Sequence, residues 1–191
     1  MPSSNVGAVT TLRIVDLVGV PDPPAVYEAA HRLLADLVAG GAALGWVDPP
    51  DQPEIDSLLS ELVSASGAGD AATRVAFLDD QVVGFGYWRR YARPTHRTNA
   101  NLERMAVSRE AQGRGIGRAL LGELIDRARE CNVEVLTLDA RGDNDIAVAL
   151  YASAGFEQYG RLRKFVSVGP ARYDKVFMAL DLRESPQAER H

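Results

Sequence analysis

The segment Leu102–Leu121, which reads LERMAVSREAQGRGIGRALL, constrains the fold more than any other part of the chain. Its first six residues form a short strand pattern, and a polar turn then leads to three alternate glycines, Gly113, Gly115 and Gly117. The glycines stand at the head of a helix whose apolar residues recur every four positions. A strand that runs directly into a helix is the first half of a strand–helix–strand unit, so the sequence predicts some parallel pairing in the sheet.

Strand and helix patterns alternate around this segment and predict one α/β domain over residues 11–183, with flexible termini at residues 1–10 and 184–191. Arg74–Tyr91 is typical of a hairpin with its turn at residues 79–81. Residues 39–52 and 64–73 are rich in glycine, proline or small residues and are predicted to be a loop and a connector. The other predicted strands are Thr11–Asp16, Leu102–Val107, Val133–Ala140, Phe156–Arg163 and Lys175–Leu182, and the predicted helices are Ala25–Val38, Pro53–Leu62, Gly115–Arg129 and Ile146–Ser153.

Composition argues against several classes of function. The 191 residues carry 21 basic and 26 acidic side chains, a net charge of −5, whereas a binder of nucleic acid or anionic membranes shows a basic surplus. The single cysteine, Cys131, cannot form a disulfide within the chain, and no segment has the ~20 apolar residues of a membrane span or the pattern of a secretory signal. We therefore expect a cytoplasmic protein with no nucleic-acid or membrane partner. Three scattered histidines and one cysteine give no metal-ligand spacing, so no metal is expected.

The glycine turn favours an anionic ligand. Glycines let backbone N–H groups approach a ligand closely, and the start of a helix adds partial positive charge, which together suit a phosphate or pyrophosphate. A flexible turn before a surface helix is the alternative. Arg118 stands where a dinucleotide fingerprint requires its third glycine, and the turn lacks the lysine of a P-loop. The segment is locally basic by +2, because Glu103 and Glu110 are outnumbered by Arg104, Arg109, Arg114 and Arg118.

Two motifs carry a family resemblance. Residues 112–117, QGRGIG, fit the pattern Q/R-x-x-G-x-G/A, and here the chain resembles the GNAT superfamily, the acetyl-CoA-dependent N-acetyltransferases. Downstream, residues 143–156 contain DNDIA, then LY, then GF, which resembles the second block of that superfamily. The hairpin that ends in VVGFGYW is similar to its central antiparallel strands. The resemblance covers roughly Arg74 to Leu182, with both motifs in the expected order.

The resemblance implies a GNAT-like fold, a central mixed β-sheet of six to seven strands flanked by about four helices, with a V-shaped splay between two parallel strands. Acetyl-CoA would be the co-substrate, its pantetheine arm pairing with the backbone of one splayed strand. A backbone N–H of that strand, which is often bulged in the family, would face the thioester carbonyl and stabilise the developing oxyanion. The implied contacts are Met105, Ala106 and Val107 with the arm, Gln112, Gly113, Arg114, Gly115, Ile116, Gly117 and Arg118 with the pyrophosphate, Asn144 with the pantetheine, and Tyr151 near the sulfur.

Direct transfer of an acetyl group needs a neutral amine and a proton for the leaving thiolate. Tyr151 is the candidate general acid, and its alternative is an aromatic residue that packs in the core. Glu103 and Asp139 are candidates for the general base. Glu103 can equally be a charge that faces solvent, and Asp139 can equally be a cap or turn acceptor.

The resemblance predicts an N-acetyltransferase that acts on a primary amine of a small molecule, and the overall plan is similar to the tabtoxin-resistance type. The alternatives are an acetyltransferase of protein N-termini or lysines and a module that senses acyl-CoA without turnover. The resemblance also allows a homodimer. Four aromatic residues are candidates for lining the acceptor pocket, with core packing as the alternative for each: Trp46, Tyr87, Trp88 and Tyr91.

Overall fold

The computed structural model describes residues 11–183, which contain a seven-stranded sheet. The predicted flexible termini, residues 1–10 and 184–191, lie outside the described residues. The strands are β1 (Leu12–Asp16), β2 (Ala71–Leu78), β3 (Gln81–Arg90), β4 (Ala100–Val107), β5 (Val135–Arg141), β6 (Glu157–Val168) and β7 (Ala171–Asp181).

Within the described residues, four α-helices accompany the sheet: α1 (Pro23–Ala39), α2 (Gln52–Gly67), α3 (Ile116–Glu130) and α4 (Asp145–Ser153). The first two begin in the same way, because the carboxylates of Asp22 and Asp51 accept a backbone N–H three residues on and a proline stands in the first turn. The cap at Asp51 fixes the end of the loop that is predicted before α2. None of the helices within residues 11–183 is long and apolar enough to cross a membrane.

The sheet separates two hydrophobic cores. Helices α1 and α2 cover one face, where Leu34 and Ile55 pack against Phe85. Helices α3 and α4 cover the other face, where Leu124 packs near Trp88 and its carbonyl accepts the indole N–H at 3.0 Å. The alternation of β3 places successive side chains in opposite cores.

The sheet order is β1-β2-β3-β4-β5-β7-β6, and all neighbours are antiparallel except β4 and β5. These two parallel strands pair at only two positions, Ala100 with Leu136 and Asn101 with Thr137. Beyond them β4 stays with β3 while β5 stays with β7, so the two strands diverge. The predicted fold class, a mixed α/β sheet with a parallel pair and flanking helices, is confirmed.

Two predicted boundaries are wrong. The predicted connector over residues 64–73 shrinks to a turn at residues 68–70, and its two ends belong to the last turn of α2 and the start of β2, where small residues such as Ala71 are buried. The closing strands are longer than predicted, since β6 and β7 form a hairpin that extends to a turn at Gly169. Charged residues interrupt the apolar pattern there, so hydrophobic periodicity does not indicate the full length of the two strands.

Candidate active site

A cavity of about 930 Å³ opens where β4 and β5 diverge. Gln112, which leads into the glycine turn, and α4 border one end, which we call the cofactor end, whereas residues 113–118 of the turn are not part of the lining. The loop between α1 and α2, residues 40–51, borders the other end through residues 40–45, and we call it the acceptor end. The lining includes these residues selected from the sequence: Glu103, Met105, Ala106, Val107, Gln112, Asp139, Asn144 and Tyr151.

Backbone geometry defines the cofactor end. Gly113 and Gly115 have φ values of 76° and 80°, a conformation that favours glycine, and Gly115 caps α3. The first intrahelical hydrogen bond runs from the N–H of Ala119 to the carbonyl of Gly115. The backbone N–H groups that precede Ala119 in the first turn are therefore not used within the helix. Ile116 is buried in the core and can offer a ligand only its backbone. The turn therefore presents backbone donors at a positive helix end.

The four arginines of the locally basic segment lie in different places. Arg114 and Arg118 are exposed at the turn. Arg109 instead donates to the carbonyl of Gly40 at the end of α1, and Arg104 lies at the acceptor end. Two of the four arginines of the segment thus lie at the turn.

One bulge interrupts the pairing of β3 with β4. Gly86 faces two residues of β4, Arg104 and Met105, where regular pairing would give one. Arg104 has a φ of 48°, which is uncommon for a residue with a side chain. Such a bulge takes backbone groups out of the ladder and turns them toward the neighbouring space. The pairing strand of the cavity, residues 105–107, is therefore bulged at its start.

The bulge also changes where the side chains of β4 point. Leu102 and Met105 both pack in the core under α3. Regular alternation would place Arg104 there as well, but its guanidinium instead contacts Glu103 on the opposite face. One extra residue in β4 thus places the guanidinium of Arg104 on the face of the sheet that α1 and α2 cover, rather than on the face under α3.

Tyr151 stands on α4 and is 8% exposed, with its ring against Phe156. Burial, with a further contribution from the charge of Asp139, raises the pKa of Tyr151 to about 12. The phenol is therefore protonated at neutral pH and able to donate a proton.

Asp139 lies on β5 at the mouth of the splay, with 41% of its side chain exposed. Its Oδ1 lies 2.9 Å from Nζ of Lys175, which extends from β7. Asp139 and Tyr151 both line the cavity, and the charge of Asp139 adds to the effect of burial in raising the pKa of Tyr151. A half-exposed carboxylate of this kind can accept a proton from an incoming amine.

Glu103 is held by three donors. Its Oε2 accepts from the hydroxyl of Tyr87 at 2.8 Å and lies 3.3 Å from Nη1 of Arg104, while its Oε1 accepts from the amide of Asn101 at 3.3 Å. Burial raises the pKa of Tyr87 well above its usual range, so this hydroxyl stays a donor. Asn101 is oriented in turn by the hydroxyl of Thr137. This network fixes the floor of the acceptor end.

The aromatic candidates have different positions. Trp88 is fully buried in the core. Trp46 lies over the guanidinium of Arg104, with its ring centre 4.0 Å from the guanidinium carbon. Tyr91 hydrogen-bonds to Thr137, and Tyr87 holds Glu103, as described above. None of the four is among the described residues that line the cavity, and Trp46 and Tyr87 instead contact Arg104 and Glu103, which do line it.

Sequence reasoning missed two residues of the acceptor end. Lys175 was assigned only to a strand, since the ion pair with Asp139 joins residues far apart in the chain. Arg104 enters the sequence prediction only through the local positive charge of its segment, because the bulge is not visible in LERMAV. The signal that indicates the bulge is Gly86, a glycine inside a strand pattern, which often marks a bulge on the partner strand.

Comparison with known proteins identifies the family of the chain. The acetyltransferase (GNAT) family model matches residues 40–156, more than half of the chain. The [ribosomal protein bS18]-alanine N-acetyltransferase of Escherichia coli K12 is 39% identical over 83 residues, which cover 44% of this chain and 56% of that protein. The chain therefore spans about half the length of this curated relative.

Solved structures share the fold over nearly the whole chain. A ribosomal-protein-alanine N-acetyltransferase from Brucella melitensis superposes with a TM-score of 0.76 at 28% identity, covering 90% of this chain and 99% of that one. A phosphinothricin acetyltransferase from Sinorhizobium meliloti, solved in complex with acetyl-CoA, has a TM-score of 0.75 at 21% identity over 95% of each chain. The family model and the fold agree with the resemblance in the two sequence motifs. The chain belongs to the acetyltransferase (GNAT) family.

Proposed function

We propose that the protein transfers an acetyl group from acetyl-CoA directly to a primary amine. The observation that carries the proposal is the splay itself: parallel pairing stops after Asn101 and Thr137, and the opening brings a bulged backbone, a buried phenol and a half-exposed carboxylate to one cavity. Acetyl-CoA bound there would supply an acetyl group activated as a thioester.

The residues at the cofactor end fit a pyrophosphate and an extended arm. The first-turn N–H groups of α3 and the two positive-φ glycines form a backbone cradle for phosphate oxygens. A Cβ at Gly117 would already lie 3.5 Å from a methyl carbon of Leu150, so little space separates α3 from α4 there. Residues 105–107 would pair with the pantetheine amides as a strand edge, and Asn144, which caps α4, lines the same side of the cavity.

The bulge in β4 supplies the oxyanion donor in this proposal. Because Arg104 and Met105 face a single residue of β3, part of their backbone is not used by the ladder. A fixed N–H aimed at the position where negative charge develops stabilises the transition state without reorganising. Such donors contribute about 3–4 kcal/mol in enzymes where one has been removed.

Tyr151 is the general acid. With its pKa raised to about 12, the phenol keeps its proton throughout the physiological range. Proton donation turns the leaving thiolate into a thiol and moves the negative charge to Tyr151, where burial disfavours it, so the phenol regains a proton as the acetylated nitrogen loses one.

Asp139 is the general base that we favour over Glu103. Both oxygens of Glu103 already accept hydrogen bonds, from Tyr87 and Asn101, and one also faces Arg104. Within residues 11–183 Asp139 has one ion-pair partner, Lys175, and its half-exposed side chain lines the same cavity as Tyr151. We infer that Asp139 receives the proton of the amine and that Glu103 orders the floor below it.

The acceptor that we propose is a small molecule with a primary amine, seated between the loop at residues 40–51 and the Asp139–Lys175 pair. One observation favours a second candidate, the N-terminus of a protein. Next to Asp139 the sheet continues toward β7 and β6, against which no helix within residues 11–183 packs extensively, and there Tyr159 and Phe165 are 62% and 59% exposed. The ribosomal-protein names of the relatives are consistent with this second acceptor.

The test is thiol release from acetyl-CoA across two acceptor panels, one of small amines and amino acids and one of peptides with a free N-terminus. Mass spectrometry of each product locates the acetyl group, and the same peptides with a blocked N-terminus but a free lysine serve as the control. Turnover with an amine supports the proposal. Binding of acetyl-CoA by calorimetry without release across both panels contradicts it and leaves a sensor of acyl-CoA.

A further inference from the structure

Arg104 has a backbone conformation that the proposed chemistry does not by itself explain. Asp79 and Asn132, which also have positive φ, lie in turns and belong to residue types that tolerate it. Lys164, with a φ of 53°, lies on the edge strand β6. Among the described residues other than glycine, only Arg104 adopts positive φ inside an interior strand. A strained residue persists only where its surroundings hold it, and such positions concentrate at functional sites.

The side chain of Arg104 attaches this residue to two other parts of the protein. The guanidinium stacks on Trp46, and Nη1 donates to the hydroxyl of Tyr87 and faces Glu103. Nε is buried without a hydrogen-bond partner among residues 11–183, so it adds nothing to the attachment. The stack and the two contacts of Nη1 therefore fix the guanidinium between a loop and the sheet.

Trp46 connects this attachment to the helical layer. It lies in the loop at residues 40–51, and its indole N–H donates to Oε1 of Glu54 at 2.6 Å in the first turn of α2. The same loop borders the acceptor end of the cavity. One stack of two side chains thus joins the wall of the acceptor end to the bulged backbone of β4.

We propose that Arg104 is a positioning residue that couples the α1–α2 loop to the bulge in β4, so that an acceptor seated against the loop and the backbone donor of the bulge are aligned together. The inference rests on the proposed acetyl transfer. Because the contact is shared, loosening the loop loosens the bulge, and loosening the bulge loosens the loop to the same extent. A merely structural arginine would stabilise the fold without linking these two segments.

The first test is Arg104→Gly, which removes the side chain and keeps a residue that adopts positive φ without strain. We expect kcat to fall about tenfold or more, since a misaligned oxyanion donor loses much of its effect, while the Kd for acetyl-CoA changes less than about threefold. Lys164→Gly, a cation at another positive-φ position outside the cavity, is the matched control and keeps the parental kcat. A parental kcat in Arg104→Gly overturns the proposal.

The second test is a double-mutant cycle with Trp46→Leu. If Trp46 acts through Arg104, the double variant loses no more activity than the more impaired single variant. Val47→Ser, at a neighbouring residue that is 70% exposed, controls for disturbance of the loop. Losses that multiply in the double variant overturn the coupling.

Amide hydrogen exchange tests the coupling without any acceptor. We expect residues 40–51 to exchange faster in Arg104→Gly and residues 104–106 to exchange faster in Trp46→Leu, with neither change in Lys164→Gly. If these reciprocal changes occur in a protein that acetylates no amine, the proposed function fails and the coupling stands. If amines are acetylated but each substitution leaves the other segment's exchange unchanged, the coupling is overturned.

Discussion

The two ends of the cavity are built in different ways. The cofactor end consists largely of backbone: positive-φ glycines, the N–H groups of one helix start and a strand edge, all within residues 105–118. The acceptor end consists of side chains from five elements that meet through hydrogen bonds and one stack. A backbone site recognises a ligand common to a family, whereas a side-chain site can change its acceptor by substitution.

This difference predicts which binding or kinetic constant a substitution at each end of the cavity changes. Substitutions at the cofactor end should change the Kd for acetyl-CoA more than kcat. Substitutions at the acceptor end should change kcat, or the KM of the amine, with little effect on that Kd. Tyr151 lies where the two ends meet and provides the first test.

Tyr151→Phe is expected to have the largest effect, a fall in kcat of about 10²–10³-fold, because the ring contact with Phe156 remains while the acid is lost. The Kd for acetyl-CoA, measured by calorimetry, should change little. Since the pKa of Tyr151 is raised to about 12, its loss of a proton should produce no basic limb in the parental rate below about pH 10. An unchanged kcat removes Tyr151 from the acid role.

Asp139→Asn should lower kcat by about 10²-fold and leave the fold intact, because both members of its ion pair with Lys175 are partly exposed. The matched variant is Glu103→Gln, which removes a charge at similar size from the network around Arg104. We expect it to lower thermal stability and raise the KM of the amine more than it lowers kcat. If Glu103→Gln loses more kcat than Asp139→Asn, the base is Glu103.

Gly115→Val should weaken acetyl-CoA binding by about 10–100-fold, because a β-branched residue at a φ of 80° costs about 1–3 kcal/mol and displaces the first N–H groups of α3. Calorimetry measures this Kd. Gly122→Ala is the control on the same helix: an added Cβ there meets nothing within 4 Å, so the Kd should not change and stability should rise slightly. Equal affinities in Gly115→Val and the parent contradict the assignment of the turn.

The same difference explains how much could be predicted from the sequence. The glycine turn could be predicted because its determinants lie within residues 112–118 and act through local φ and helix capping. Tyr151 and Asn144 followed from one further local motif. The alternation of strands and helices was enough to predict the parallel pair.

The acceptor end could not be predicted in the same way, because tertiary pairing decides it. The side chain of Arg104 changes face through one bulge residue, and the ion pair of Asp139 depends on β5 lying beside β7 rather than β6. The alternation of apolar and polar residues within a single strand indicates neither the face on which Arg104 lies nor the strand that pairs with β5. The network around Glu103 likewise needs β3, β4 and β5 in register before its donors meet.

The smallest predicted effect tests whether the cofactor end depends on backbone or on charge. Arg114 and Arg118 are exposed at the turn, and exposed cations contribute little in water, so Arg114→Ala and Arg118→Ala should each weaken acetyl-CoA binding only about two- to fivefold. This small contribution should shrink as salt rises from 0.05 to about 0.5 M, because the charges are screened. Arg129→Ala, at the far end of α3, should change nothing. A loss near 100-fold in either turn variant would make charge the main determinant there, and the contrast between a backbone end and a side-chain end would no longer hold.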